Sequence, residues 1–149
     1  MDRPRILVVD DDQAIISTTR AILEDEGYMV DVATSGREAI QRTEASNYNL
    51  ALLDIRLPDM EGVELLSLMK DNVPRMRKIM VTGYPSIQNA VTALNANADA
   101  YLVKPVDIEK LLKTVKDQLK RQEEEKAFSE MKVAEFIESR VNEISEKHL

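Results

Sequence analysis

Cysteine is absent from this 149-residue chain, and histidine occurs once, at His148, next to the C-terminal residue. Without cysteine there is no disulfide framework, no thiolate nucleophile and no sulfur-ligated metal. One histidine at the chain end argues against imidazole catalysis and against a histidine-based zinc site. Glycine is scarce too, at positions 27, 36, 62 and 83 only. Neither G-x-x-x-x-G-K-[ST] nor G-x-G-x-x-G can be assembled from that spacing, which removes the common phosphate-cradling and dinucleotide loops. A basic excess is also missing: 20 Lys and Arg face 27 Asp and Glu, for a net charge of −7 and a pI near 4.8. Direct binding of nucleic acid or of an anionic membrane is not expected of such a surface. No 18-residue apolar span or leader-like segment occurs, so a soluble cytoplasmic protein is the default expectation.

What is present is an alternation of short apolar runs with amphipathic stretches. Arg5 to Val9 reads as a buried strand running straight into Asp10-Asp11-Asp12. Asp12 is placed to cap a helix from Gln13 to about Glu26, with Ile15, Ile16, Thr19, Ile22 and Leu23 on one stripe, closed by Gly27. Met29 to Ala33 is a second strand, Ser35 caps a helix to about Ala45, and Asn49 to Asp54 is a third strand. A loop from Arg56, punctuated by Pro58 and Gly62, precedes a helix from Val63 to about Asp71. Arg77 to Thr82 and Ala100 to Val103 read as the fourth and fifth strands, with a helix from Ser86 to about Asn97 between them. After Lys104-Pro105-Val106-Asp107 comes a fifth helix that turns Ile108, Leu111, Leu112, Val115 and Leu119 to one side.

Short apolar strands separated by helices predict an α/β fold, a doubly wound parallel sheet covered on both faces. Ligands of such sheets bind at the carboxyl ends of the strands, where the strand order reverses. Those ends carry Asp10 and Asp11, Asp54, Thr82 and Lys104. With order 2-1-3-4-5 they converge in one crevice. Carboxylates about 4 Å apart repel by roughly 1–4 kcal/mol per pair, and a hard divalent cation such as Mg2+ removes the conflict. Asp54 could then act as nucleophile toward a phosphoryl group, with Lys104 and the Thr82 hydroxyl on the phosphoryl oxygens.

Val9-Asp10-Asp11, Leu53-Asp54 followed by Pro58 and Gly62, Val81-Thr82-Gly83 and Lys104-Pro105 together resemble the receiver domain of two-component response regulators. The resemblance covers about residues 4 to 119. It implies a flavodoxin-like five-stranded sheet of order 2-1-3-4-5, with Asp54 as phosphoacceptor. Asp11 would be the direct Mg2+ ligand (Mn2+ could substitute), Asp10 would hold its water shell, and Asp54 and the Arg56 carbonyl would complete the metal set. Lys104 would pair with the phosphoryl group, ahead of a cis bond to Pro105. Thr82 would be the switch hydroxyl and Tyr101 the aromatic that follows it. The donor would be a phosphohistidine on a sensor histidine kinase or a phosphotransfer protein. Such a protein is a regulator that catalyses only its own phosphoryl transfer and dephosphorylation. Asp12 falls outside this set and is better explained as a cap. Arg56 and Tyr84, each two residues beyond a site residue, are large and are expected to tune dephosphorylation by crowding the path of a hydrolytic water.

Two rivals remain at this level. Asp10-x-Asp12 after a strand also resembles haloacid-dehalogenase-type phosphatases, with Asp10 as nucleophile and Asp12 as general acid. That reading lacks an acidic pair after the fourth strand and leaves Asp54 without a role. The other rival is a phosphorylation-independent interaction module.

Residues 1–119 are thus expected to form the receiver domain and 120–149 a helical extension or linker. No Pro or Gly follows Pro105, so the fifth helix can continue through the polar stretch 120–126. Ala127, Met131, Ala134, Ile137, Val141 and Ile144 then form a narrow stripe close to an a/d pattern, suited to dimerisation. A homodimer through helix four, strand five and helix five, joined by this extension, is the expectation.

Overall fold

The computed structural model describes residues 3–72 and 74–147, so His148 lies outside the described residues. Five parallel strands alternate with five helices: β1 Arg5–Val9, α1 Gln13–Asp25, β2 Met29–Ala33, α2 Gly36–Ala45, β3 Leu50–Asp54, α3 Gly62–Leu68, β4 Arg77–Thr82, α4 Ile87–Asn95, β5 Ala100–Val103 and α5 Ile108–Lys147. The sheet order is β2-β1-β3-β4-β5. The chain therefore winds outward from β1 in one direction and from β3 in the other, and the reversal lies between those two strands.

The strand alternation builds two cores. Leu7, Val9, Ala51, Leu53 and Met80 point to one face, where α2, α3 and α4 add Ala39, Leu65 and Ala93. Ile6, Val8, Leu50, Leu52 and Ile79 point to the other, against Leu23 of α1 and Leu111 and Val115 of α5. Both faces are covered, so β1 and β3 are apolar from Ile6 to Val9 and from Leu50 to Leu53. In register, Val9 pairs with Leu53, Asp54 with Val81 and Thr82 with Val103. This levels the carboxyl ends of four strands.

Local signals account for most helix ends. The Asp12 side chain accepts N–H groups of Ala14 and Ile15, and Ser35 and Ser86 cap α2 and α4. Gly27, at φ +96°, closes α1 with Tyr28 N–H donating to the Leu23 carbonyl. Asn97, at φ +70°, ends α4 the same way, two residues earlier than its pattern suggested.

Three sequence expectations need correction. Helix α3 stops at Leu68 rather than near Asp71, because Met69 turns extended and buries its side chain. Asp71 instead shapes the approach to β4, its carboxylate accepting N–H groups of Asn72 and Met76 at 2.9 and 3.0 Å. Ile108 is 52% exposed, so the buried face of α5 begins at Leu111. The polar stretch after Leu119 also holds a buried residue. Gln122 is 2% exposed, accepts from the Asn49 amide and donates to the Asn49 and Arg75 carbonyls. Glu125 pairs with the buried Arg77, so α5 stays fastened to the amino end of the sheet before it runs into solvent.

Candidate functional site

The first strand delivers its acids in two directions. Asp10 is buried, and its Oδ1 accepts the Asp12 N–H at 3.0 Å. Asp11 is exposed toward the crevice mouth. The Asp12 carboxylate is occupied at the start of α1, 2.9 Å from Ala14 N and 3.2 Å from Ile15 N. Across the strand reversal, β3 ends on Asp54, whose Oδ1 accepts the Arg56 N–H at 3.2 Å. Asp10, Asp11 and Asp54 each place a carboxylate oxygen within 4.8 Å of the others.

Lys104 reaches this group from the end of β5. Its N–H donates to the Thr82 carbonyl at 2.7 Å, and the Lys104–Pro105 bond is cis. Its Nζ lies 2.7 Å from Asp10 Oδ2 and 3.2 Å from Asp54 Oδ2, so one ammonium bridges two carboxylates. Burial pushes the Asp54 carboxyl up. The Arg56 N–H and Lys104 act against that and Asp10 adds to it, leaving Asp54 above the ordinary carboxylate range. Burial pulls the Lys104 ammonium down, yet its contacts with Asp10 and Asp54 outweigh this and hold it above its ordinary value. Ligand atoms at the three acids are all carboxylate oxygens, a donor set that fits a hard divalent cation such as Mg2+ and not a soft one.

The remaining predicted residues surround this centre. Thr82 is buried, and its Oγ1 accepts the Tyr84 N–H at 3.0 Å. Tyr101 is half-buried against the core, and its hydroxyl is enclosed without a hydrogen-bond partner among the described residues. The Arg56 guanidinium lies 4.5 Å from the centroid of the exposed Tyr84 ring. Gly62 closes the loop after Asp54, its N–H donating to the Ile55 carbonyl at 2.6 Å. A Cβ there would run into the Asp54 carbonyl, so this close approach requires glycine. A cleft of about 510 Å3 leads from Asp10, Asp54 and Lys104 between α1 and α5, lined by Ile15, Ile22, Val106 and Leu111 among others.

Sequence reasoning singled out Arg56 and Tyr84 for their size but not for their contact. It missed Asp59 entirely. That carboxylate binds backbone groups 22 and 23 positions earlier, and no local pattern announces such a partner.

Similarity to known proteins agrees with this arrangement. The family model of the response regulator receiver domain matches residues 6–116. The chain is 42% identical over 107 residues to the alginate biosynthesis transcriptional regulatory protein AlgB of Pseudomonas putida, covering 72% of this chain and 24% of that protein. The chain thus spans about a quarter of the length of the curated relatives it matches. Among solved structures, it is similar to a CheY-like response regulator receiver domain protein from Methanospirillum hungatei JF-1, at 51% identity and TM-score 0.77, over 83% of this chain and 99% of that one. It is also similar to the beryllofluoride-activated NtrC4 receiver domain dimer, at 37% identity and TM-score 0.74, over 79% and 98% of the two chains. No helix among the described residues is long and apolar enough to cross a membrane.

Proposed function

The chain belongs to the response regulator receiver domain family, and from that membership we propose that it is a signalling switch that takes a phosphoryl group onto Asp54. The observation that carries the reading is the single ammonium of Lys104 held between Asp10 and Asp54, beside a third carboxylate. Charge of one sign has been concentrated there and only partly neutralised.

Asp10, Asp11, Asp54 and the Arg56 carbonyl would hold Mg2+, or Mn2+ in its place. Bound there, the ion supplies compensation for the charge on the phosphoryl oxygens. A carboxylate oxygen of Asp54 attacks phosphorus on a phosphohistidine of the sensor kinase or phosphotransfer protein. The P–N bond breaks with its electron pair left on the imidazole nitrogen, and a P–O bond forms, giving the acyl phosphate. Lys104 Nζ leaves Asp54 for a phosphoryl oxygen while keeping Asp10. Thr82 Oγ1 already accepts from the Tyr84 N–H, so its own proton is free to be donated to a second phosphoryl oxygen. Thr82 would be the switch hydroxyl and Tyr101 the aromatic coupled to it, and the Tyr101 hydroxyl is already enclosed, with no hydrogen-bond partner among the described residues to hold it in one position. The phosphatase reading would need Asp12 as general acid, whereas its Oδ1 is engaged in capping α1.

Residues 1–119 would serve as the receiver and the chain beyond as its extension, whose first turn is still fastened to the sheet by Gln122 and Glu125. The altered surface would be the one formed by α4, β5 and α5, where Ile87, Leu94 and Val103 are exposed. The extension exposes Met131, Ile137, Val141 and Ile144 along one side. An unpartnered helix of this kind gains stability by burying that side, here against a second copy. Sedimentation with and without beryllofluoride, on the full chain and on a chain ending at residue 122, tests this. An unchanged monomer–dimer equilibrium in all four samples would refute it.

The phosphoryl reading is tested by incubating the protein with Mg2+ and a small acyl phosphate and recording intact mass. Gain of one phosphoryl group, lost in Asp54→Ala, is expected. An unchanged mass under all conditions would overturn it.

A further inference from the structure

The loop joining β3 to α3 contributes Arg56 to the site but has few anchors of its own. Arg56, Pro58, Asp59 and Glu61 are exposed. Its base is tied by Gly62 N–H to the Ile55 carbonyl, and its turn by Leu57 N–H to the Met60 carbonyl at 3.1 Å. The tip is held by a different element. Asp59 Oδ1 accepts the Gly36 N–H at 2.8 Å and Oδ2 accepts the Arg37 N–H at 2.9 Å. These are the first two amides of α2, which have no partner within the helix. The next amide, Glu38 N–H, goes to Ser35 Oγ, the local cap. Two caps thus share one helix start, one from the adjacent residue and one from the phosphoryl-site loop. The same docking is completed by Met60, whose side chain lies over Gly36 where any Cβ would collide with it. The two N–H bonds hold the Asp59 carboxyl below its ordinary range, as expected for a carboxylate used as an acceptor.

We propose that Asp59 is a positioning residue for the phosphoryl site: seated on the start of α2, it fixes the β3–α3 loop so that the Arg56 backbone stays against Asp54. The inference rests on the receiver reading above. Ser35 and Asp59 cap the same helix, but only Asp59 connects it to the site. Loss of either weakens α2. Loss of Asp59 alone frees the loop tip, lets the 3.2 Å contact from Arg56 N–H to Asp54 Oδ1 lengthen, and disorders the backbone beside the three acids.

The test compares Asp59→Ala, Asp59→Asn and Ser35→Ala in the full chain. Mg2+ is titrated while backbone amide resonances are followed, and thermal midpoints are recorded in parallel. Ser35→Ala is expected to lower the midpoint and leave Mg2+ affinity unchanged. Asp59→Ala is expected to weaken Mg2+ binding about tenfold, the scale on which residues supporting metal ligands act, and to shift the Arg56 amide before any Mg2+ is added. Asp59→Asn, which keeps one acceptor oxygen, should fall between. Asp59→Ala at wild-type affinity, or Ser35→Ala losing as much affinity as Asp59→Ala, overturns the proposal while leaving the receiver reading intact. Failure of the wild type to bind Mg2+ overturns both.

Discussion

The guanidinium of Arg56 lies over the ring of Tyr84, 4.5 Å from its centroid, and so joins the loop after β3 to the loop after β4. An exposed pair of this kind is worth about 0.5–1 kcal/mol. Both side chains stand two residues beyond a site residue, and the stack holds each where the other needs it. Arg56→Asn and Tyr84→Ala are each expected to speed loss of the phosphoryl group several-fold. Because either change releases the partner, the double variant should be faster than each single by less than the product of the two effects. Following decay of the phosphorylated mass in all four proteins checks this. No acceleration in either single variant would remove the tuning role.

Asp54 carries a cost in the absence of a cation. It is half-buried beside Asp10 and Asp11, and loss of solvent pushes its carboxyl up, so ionisation at neutral pH opposes folding. Asp54→Asn is therefore expected to raise the thermal midpoint by a few degrees without Mg2+, on the scale of about 1 kcal/mol for a domain of this size. Wild type should gain about 1.4 kcal/mol at Mg2+ ten times its dissociation constant, and the variant less. A variant less stable than wild type in metal-free buffer would contradict the assignment of strain to this carboxylate.

Gln122 gives the clearest stability prediction. Gln122→Leu removes the partner of the Arg75 carbonyl and of the Asn49 side-chain amide, while the Asn49 carbonyl keeps the Arg77 N–H. The expected loss is about 2–3 kcal/mol, seen as a lower denaturant midpoint at unchanged slope. A loss below about 0.5 kcal/mol, the ordinary effect of a surface change, would mean that the contact is not structural.

Asp99 sets part of the acid limit. Burial raises its carboxyl, but the Arg75 guanidinium, the Lys78 N–H and Arg77 together bring it below the ordinary carboxylate range. A depressed folded-state value means that the unfolded chain takes up the proton first. The contribution is complete above about pH 4, where the unfolded carboxyl titrates, and is lost as pH falls through the folded-state value. Asp99→Asn should cost about 3 kcal/mol at pH 7, since Arg77 is 5% exposed and loses one of two anionic partners. The variant should also show a shallower fall in stability between about pH 4 and pH 2. Urea denaturation across that range checks both, and an unchanged acid slope would exclude Asp99 as a contributor.

Much of this protein was legible along the chain because its signals are local. The unbroken apolar runs of Ile6 to Val9 and of Leu50 to Leu53 dictate doubly covered strands, and Asp12, Ser35 and Gly27 mark helix ends through partners within a few residues. Asp10, Asp11, Asp54, Thr82 and Lys104 could be placed at one sheet end once the strands were known. The run from residue 120 to 126 misled, because a polar stretch reads as solvated, whereas Gln122 is enclosed by Asn49 and Arg75. Phe128 and Phe136 lie off the apolar stripe, with Lys132 and Arg140, one turn on, 5.5 and 5.2 Å from their rings.

The sequence by itself determined the order of strands and helices, the caps that bound them and the acidic residues that end the first and third strands, since each depends on hydrogen bonds or burial within a few residues. Only the tertiary structure decided that Asp10 and Asp54 share one ammonium, that Arg56 stacks on Tyr84, and that Asp59 and Gln122 fasten a loop and a helix to distant backbone. Those pairings join residues 22 to 94 positions apart. Their geometry exists only after the sheet has brought its strand ends level, and no spacing along the chain encodes it.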